Sequence, residues 1–237
     1  MAGTGVTFDD VHSYRDWGLK LKQITIGLPE TKTEYVDVPG MNGSLDLTEA
    51  QNGGVKYGMR SLSFVFDARH CNYTRWTGLI SAISAAIHGK KKKIVLDIDS
   101  GYYYTGRCSV DTQKTNEATA EIMVNCNCDP FKMAVNATNE PWKWDPFRFL
   151  DGIIQNTGDI AVNNTSGWQK VTLIGMAYSE DLRIVTSAAM QMKCNETTYS
   201  LETGENIMYD LDLTEGTNEL YFQGKGTVTL IYRGGML

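Results

Sequence analysis

Nucleophilic hydrolysis needs a serine or cysteine within reach of a base, and the imidazoles on offer are His12, His70 and His88. His12 and His88 lie in segments without a Gly-x-Ser-x-Gly elbow or anything comparable. His70 and Cys71 are neighbours in sequence, which says nothing of geometry. Cys126-x-Cys128 has a spacing that metals use, yet no second pair follows at ligand distance. Asp97-x-Asp99 has the composition of a divalent-ion pair, but it ends a strand at a turn, where aspartate is common for backbone reasons alone. Asp210-x-Asp212-x-Thr214 opens like a calcium loop, but no glycine stands at the sixth place and Tyr221 occupies the position of the closing glutamate. No phosphate-cradling glycine motif is present, and no motif singles out a carboxylate pair among the 28 acids. The expectation is a protein without catalytic residues, metal or cofactor, and not an enzyme.

The elements that would position such residues are mostly strands. Apolar and polar residues alternate through Leu19, Leu21, Ile24 and Ile26, and again through Leu62, Phe64 and Phe66 set against Ser61, Ser63 and Asp67. Both read as half-buried strands. Between them lies Val38-Pro39-Gly40-Met41-Asn42-Gly43-Ser44, where proline presets φ and the next glycine accepts the positive φ of a type II turn. The chain reverses there. One helix is expected from Trp76, Leu79, Ile80, Ile83 and Ile87, with Thr74 as its N-cap and Gly89 as its stop. Lys90 to Lys93 follow it as solvated cations that oppose the helix dipole.

Ile94 to Asp99 and Tyr102 to Asp111 read as a hairpin about Asp99-Ser100-Gly101, and Ala118 to Cys128 as a third strand. Pairing the second and third across Thr112 to Glu117 sets Tyr102, Tyr104, Cys108 and Val110 opposite Cys128, Cys126, Ile122 and Ala120. Both faces are largely apolar. The stretch from Asp129 to Gly152 then gathers Pro130, Pro141 and Pro146 with Phe131, Trp142, Trp144, Phe147 and Phe149, the composition of a packed linker. Beyond it, short β-rich segments are expected at Ile160 to Val162, Val171 to Ala177, Arg183 to Thr186, Met190 to Cys194, Asn206 to Leu213, Glu219 to Phe222 and Val228 to Tyr232, as in a β-sandwich. Asn218-Glu219-Leu220-Tyr221-Phe222-Gln223-Gly224 is close to a protease-cleavage tag, but its first two residues are in the wrong order and it reads as native strand.

With 237 residues, 42% hydrophobic and 21% charged, the chain is a folded protein with room for two domains. A net charge of -6 argues against holding nucleic acid through its phosphates. Neither a signal peptide nor a membrane span is visible, so synthesis in cytoplasm, reduced cysteines and no membrane insertion are expected.

Taken in order, Val36-Asp37-Val38-Pro39-Gly40, Leu45-Asp46-Leu47-Thr48, Arg60-Ser61-Leu62-Ser63-Phe64, Cys128-Asp129-Pro130-Phe131-Lys132, Trp142-x-Trp144-Asp145-Pro146-Phe147 and the Gly216 to Arg233 ending resemble the distal tail proteins (Dit family) of long-tailed bacteriophages, in the form found in phages of Gram-positive hosts. The resemblance implies a mainly β fold with one principal helix: an N-terminal β-sandwich-like ring domain with a belt hairpin (1–135), an aromatic and proline linker (136–152) and a galectin-like, carbohydrate-module-like β-sandwich (153–237). It implies a homohexameric ring at the virion tail tip, assembled in the host cytoplasm. That ring joins the tail tube (major tail) protein to the tip or tail-associated lysin protein, carries receptor-binding proteins in some phages, and lets DNA pass without specific binding. Under it, Val38, Pro39, Gly40, Met41, Asn42 and Gly43 become ring contacts, and Trp142, Trp144, Phe147 and Phe149 interdomain packing. The alternative is a carbohydrate-binding module that stacks sugars on Trp168, Tyr178 or Tyr199, aromatics more simply read as β-sandwich core.

Overall fold

A computed structural model describes residues 4–50, 54–68, 72–114, 116, 120–140 and 155–237. The fold is mostly β, with one α-helix among the described residues. The chain divides into two compact units, one of Met1–Ile98 and Tyr104–Pro130 with Leu237, the other of Asp99–Tyr103 and Phe131–Met236. Trp142, Trp144, Phe147 and Phe149 lie outside the described residues.

The first unit runs β1 (Val6–Phe8), β2 (Val11–His12), β3 (Lys20–Ile26), β4 (Thr31–Lys32), β5 (Tyr35–Val36), β6 (Leu45–Asp46), β7 (Lys56–Tyr57) and β8 (Arg60–Asp67), then helix α1 (Tyr73–Ile87), β9 (Lys91–Leu96), most of β10 (Tyr102–Lys114) and β11 (Ala120–Cys128). Its spine is β8, antiparallel to β11 on one side and β3 on the other. Along β8 every second residue is buried, Arg60, Leu62, Phe64 and Phe66. From β11 the ladder continues to β10, β9 and β1.

The β3 alternation does not run unbroken as the sequence suggests. Leu21 lies opposite Phe66 and Ile24 opposite Phe64, with the register shifting between Leu21 and Gln23. A bulge at this point lets an odd-numbered and an even-numbered residue share one face. Helix α1 buries Trp76, Ile83 and Ile87, with Leu79 and Ile80 packed at the margin of the core. Its N-cap is Asn72, not Thr74. The extended backbone of Asn72 aims its side-chain oxygen at the Arg75 amide, 2.9 Å away. Gly89, at φ 71, does terminate the helix.

The expected β10–β11 register is also corrected. Cys108 pairs with Cys126, Val110 with Val124 and Thr112 with Ile122, because β10 runs on to Lys114 and shortens the loop. The shift is an even number of residues, so the same side chains stay inside. Tyr104 pairs with Ile94 instead of a cysteine. The lysine run belongs to β9, where Lys91 and Lys92 meet Asp129 and Asp9 at 3.1 and 2.8 Å.

The second unit contains β12 (Lys132–Ala134), β13 (Ile160–Gly175), β14 (Tyr178–Ser179), β15 (Leu182–Thr186), β16 (Met190–Cys194), β17 (Thr197–Leu201), β18 (Gly204–Met208), β19 (Gly216–Ile231) and β20 (Gly234–Met236). Segments that read as separate strands in the sequence are halves of β13 and β19. These two form one long antiparallel hairpin, with a register shift between Asn164 and Gln169. The other edge of β19 pairs first with β16 and then with β15. Gly224 and Gly226 lie at the changeover, where a Cβ on Gly224 would come 2.6 Å from the Cβ of Met190. Leu220 and Phe222 of the tag-like segment are fully buried, so it is core strand.

Two turns of this unit are built alike. The side chains of Asn206 and Asn218 each accept from a main-chain N–H four residues back, of Glu202 or Thr214, and return a hydrogen bond to that residue's carbonyl. In both, the glycine two residues before the asparagine has a positive φ, 103° at Gly204 and 91° at Gly216. A Gly-x-Asn turn twelve residues apart is a short repeat that the sequence shows once its geometry is known.

Candidate interface arm

The residues with chemical potential are spent on structure. His12 Nε2 lies 3.1 Å from an Asp97 oxygen, while its Nδ1 accepts from the Tyr14 and Arg15 amides at 3.2 and 3.0 Å. Nδ1 thus closes a local turn, and Nε2 ties that turn to Asp97 at the end of β9. His88 Nδ1 accepts from the Val110 amide at 3.0 Å, and His70 and Cys71 lie outside the described residues. Asp97 also receives the Gly5 amide at 2.7 Å, whereas Asp99 pairs with Lys132 at 2.8 Å. The expected turn at Asp99-Ser100-Gly101 begins earlier, as a short 3₁₀ turn over Asp97–Asp99. Asp210 and Asp212 are exposed, alternating with the buried Leu211 and Leu213.

Cys108, Cys126 and Cys128 are buried among apolar side chains. The hydrogen bond that Cys126 donates to Cys108 pushes the Cys126 thiol up and draws the Cys108 thiol down. Burial pushes Cys128 up to about 12. Among the described residues no group of three or more His, Cys, Asp or Glu side chains comes together as a metal site would require.

The unusual surface is the excursion between β3 and β8. Two short ladders build it: β4 pairs with β7 and β5 with β6. At its tip the Met41 amide donates to the Val38 carbonyl at 3.1 Å, with Gly40 at φ 85. Pro39-Gly40 therefore makes the reversal read from the sequence, and Gly43, at φ 80, turns the chain again. Ser44 Oγ donates to Asp37 at 2.5 Å, and the Glu34 amide donates to the Thr48 hydroxyl at 3.1 Å. Hydrogen bonds from the Thr48 hydroxyl and amide hold the Asp46 carboxyl below its ordinary value.

All residues from Glu30 to Asp46 are exposed, and among the described residues no buried member of the core cluster lies between Leu19 and Leu62. The arm nonetheless carries apolar side chains in the open. Leu28 is 78% exposed and Tyr35 60%, with Val36, Val38, Met41, Leu45 and Met59 also exposed. An isolated two-stranded hairpin is marginal in water, and contiguous exposed apolar residues mark contact surfaces. The sequence reading named Val38 and Met41 but passed over Leu28, Tyr35 and Leu45. Tyr35 carried a signal, an apolar neighbour at Val36 where a half-buried strand would alternate, whereas Leu28 and Leu45 carried none.

In the second unit Trp168 is 38% exposed and Tyr178 44%, so neither is the core aromatic expected. Tyr178 stacks on Phe131 with centroids 4.8 Å apart. Tyr199 is half-buried against the core.

No protein-family profile and no curated protein matches the sequence. Among solved structures, the chain is similar to SPP1 Dit (gp 19.1), described as a paradigm of the hub adsorption apparatus in phages infecting Gram-positive hosts, at a TM-score of 0.64 and 12% identity over 99% of each chain. This chain shares the Dit fold. The similarity spans both units, so the Dit fold accounts for the arm-bearing unit and the β-rich unit that follows it in one polypeptide. At this identity the Dit fold is carried by the pattern of strands and turns, with few shared side chains.

Proposed function

We propose that this protein is a structural hub of a phage tail tip or baseplate and not an enzyme. In this reading it forms a homohexameric ring that connects the tail tube protein to the tip or tail-associated lysin protein and offers a seat to receptor-binding proteins. The carrying observation is the end-to-end similarity of fold to a hub adsorption protein. The exposed apolar arm supports the same reading, because a head-to-tail ring needs a rigid element that reaches the neighbouring copy.

Residues 1–135 are the ring domain, 136–152 the linker, and 153–237 a galectin-like domain outside the ring. Val38, Pro39, Gly40, Met41, Asn42 and Gly43 contact the neighbour. DNA passes the ring without specific binding, which suits a net charge of -6. Among the described residues no helix is long and apolar enough to cross a membrane. The protein resides at the virion tail tip after assembly in the host cytoplasm.

Light scattering coupled to size exclusion, with and without the tail tube protein, tests the proposal. A hexamer is expected in at least one condition, and a monomer in both overturns it. The exposure of Trp168 and Tyr178 favours a second activity, sugar stacking on the host surface. A glycan array that shows no binding dismisses that addition and leaves the hub untouched.

A further inference from the structure

Cys108 and Cys126 face each other across β10 and β11. They are 1% and 2% exposed, with sulfurs 3.2 Å apart. The backbone shows which kind of pair they form. The Cys108 amide donates to the Lys90 carbonyl at 3.0 Å, and the Cys108 carbonyl accepts from the Gly89 amide at 2.7 Å. Both main-chain groups of Cys108 therefore point away from β11, and the pair with Cys126 is of the non-hydrogen-bonded type. In that type the Cα atoms approach to about 4.5 Å and the side chains come closer than in the other. A disulfide spans Cα separations of about 4.4–6.8 Å, so the backbone already stands where a cross-link needs it. Cys128, two residues along the same strand, is displaced by about 6.6 Å and does not compete.

We propose that Cys108 and Cys126 are a redox-active pair that a small-molecule disulfide converts into an internal disulfide stapling β10 to β11. The Cys108 thiolate attacks the oxidant, forming a mixed disulfide and releasing one thiolate. Cys126, having given up its proton, attacks the Cys108 sulfur and expels the second thiolate. One S–S bond is made and one broken. Two protons leave the protein, and two electrons pass to the oxidant. Because both sulfurs are buried, the rate follows local opening of the strands, and the oxidised state persists once they close. The proposal is independent of the hub reading.

The test uses the whole chain incubated with oxidised glutathione. Mass spectrometry without reduction is expected to show the loss of two hydrogens and a linked peptide pair containing Cys108 and Cys126. The melting temperature of the first unit is expected to rise by roughly 10 °C and to fall back with reductant. Cys108→Ala removes the cross-link and the rise together. Two findings overturn the proposal. One is that both thiols of the unmodified protein remain open to alkylation after oxidation and denaturation; the other is that the linked pair joins other cysteines.

Discussion

The sheet around β8 and the arm that interrupts it before that strand are made from similar residues and end in opposite conditions. In the sheet, Leu62, Phe64 and Phe66 alternate with serine and valine and are fully covered by the helix and neighbouring strands. In the arm, Tyr35, Val36, Val38, Met41 and Leu45 stand among aspartate, threonine and glycine and are exposed. The sheet holds itself by apolar burial, at about 25 cal/mol per Å² removed from water. The arm holds its shape by turn chemistry: Pro39-Gly40, the Ser44–Asp37 hydrogen bond and the Thr48–Glu34 contact. Apolar burial thus resides in one region, and exposed apolar surface in the other.

Four perturbations would sharpen or break this contrast. Phe64→Ala opens a cavity in a fully buried site and is expected to cost about 3–5 kcal/mol. Thermal unfolding of the first unit would show it, and a change below 1 kcal/mol would break the contrast from the sheet side. Gly106→Ala comes next, at about 2–3 kcal/mol by overpacking. Its Cβ would sit 2.3 Å from the Cys128 sulfur and 2.7 Å from the Asn127 carbonyl. Denaturant melts should show a lowered midpoint with little change in slope.

In the arm the expectation reverses. Gly40→Val with Gly43→Val forces β-branched residues into positive φ and should abolish ring formation by light scattering while leaving the melting of the second unit unchanged. Equal loss in both readouts would mean that the arm is part of the fold's stability. The smallest effect is that of pH on Asp46. Its carboxyl is held below 3.8 by Thr48, so its folded value lies below its unfolded one. The stability it lends is present above 3.8 and fades as pH falls through the lower folded value. An NMR titration of the Thr48 amide should show a midpoint below 3.8.

Much of the sheet was legible because burial leaves a period-two record in residue type. The details that failed depend on chemistry without a periodic record. The β3 bulge is visible only as a change of parity between Leu21 and Ile24. The helix cap shifted from Thr74 to Asn72 because either residue type can cap and only backbone angles decide. Register in β10 and β11 slid by an even step, which leaves every apolar residue on its own face and so leaves no trace in the pattern. Alternation in the arm reports amphipathic strands but not whose surface covers them. That is why the turn from Val38 to Gly43 could be read in shape while the exposure of Tyr35 and Leu45 could not.

The long strand β19 has a consequence for how the protein is made. It pairs with β13, β15 and β16, all of which leave the ribosome before it. Until β19 emerges, β15 and β16 have only β18 and β17 to pair with, and Val162, Leu173, Ile184 and Met192 have no Leu220, Phe222 or Leu230 to pack against. Contacts so distant along the chain slow folding. The core of the second unit is therefore completed only once β19 has been made, whereas the first unit, Leu237 apart, has all its strands, β1 to β11, once β11 is synthesised and can begin folding while the rest of the chain is still being made.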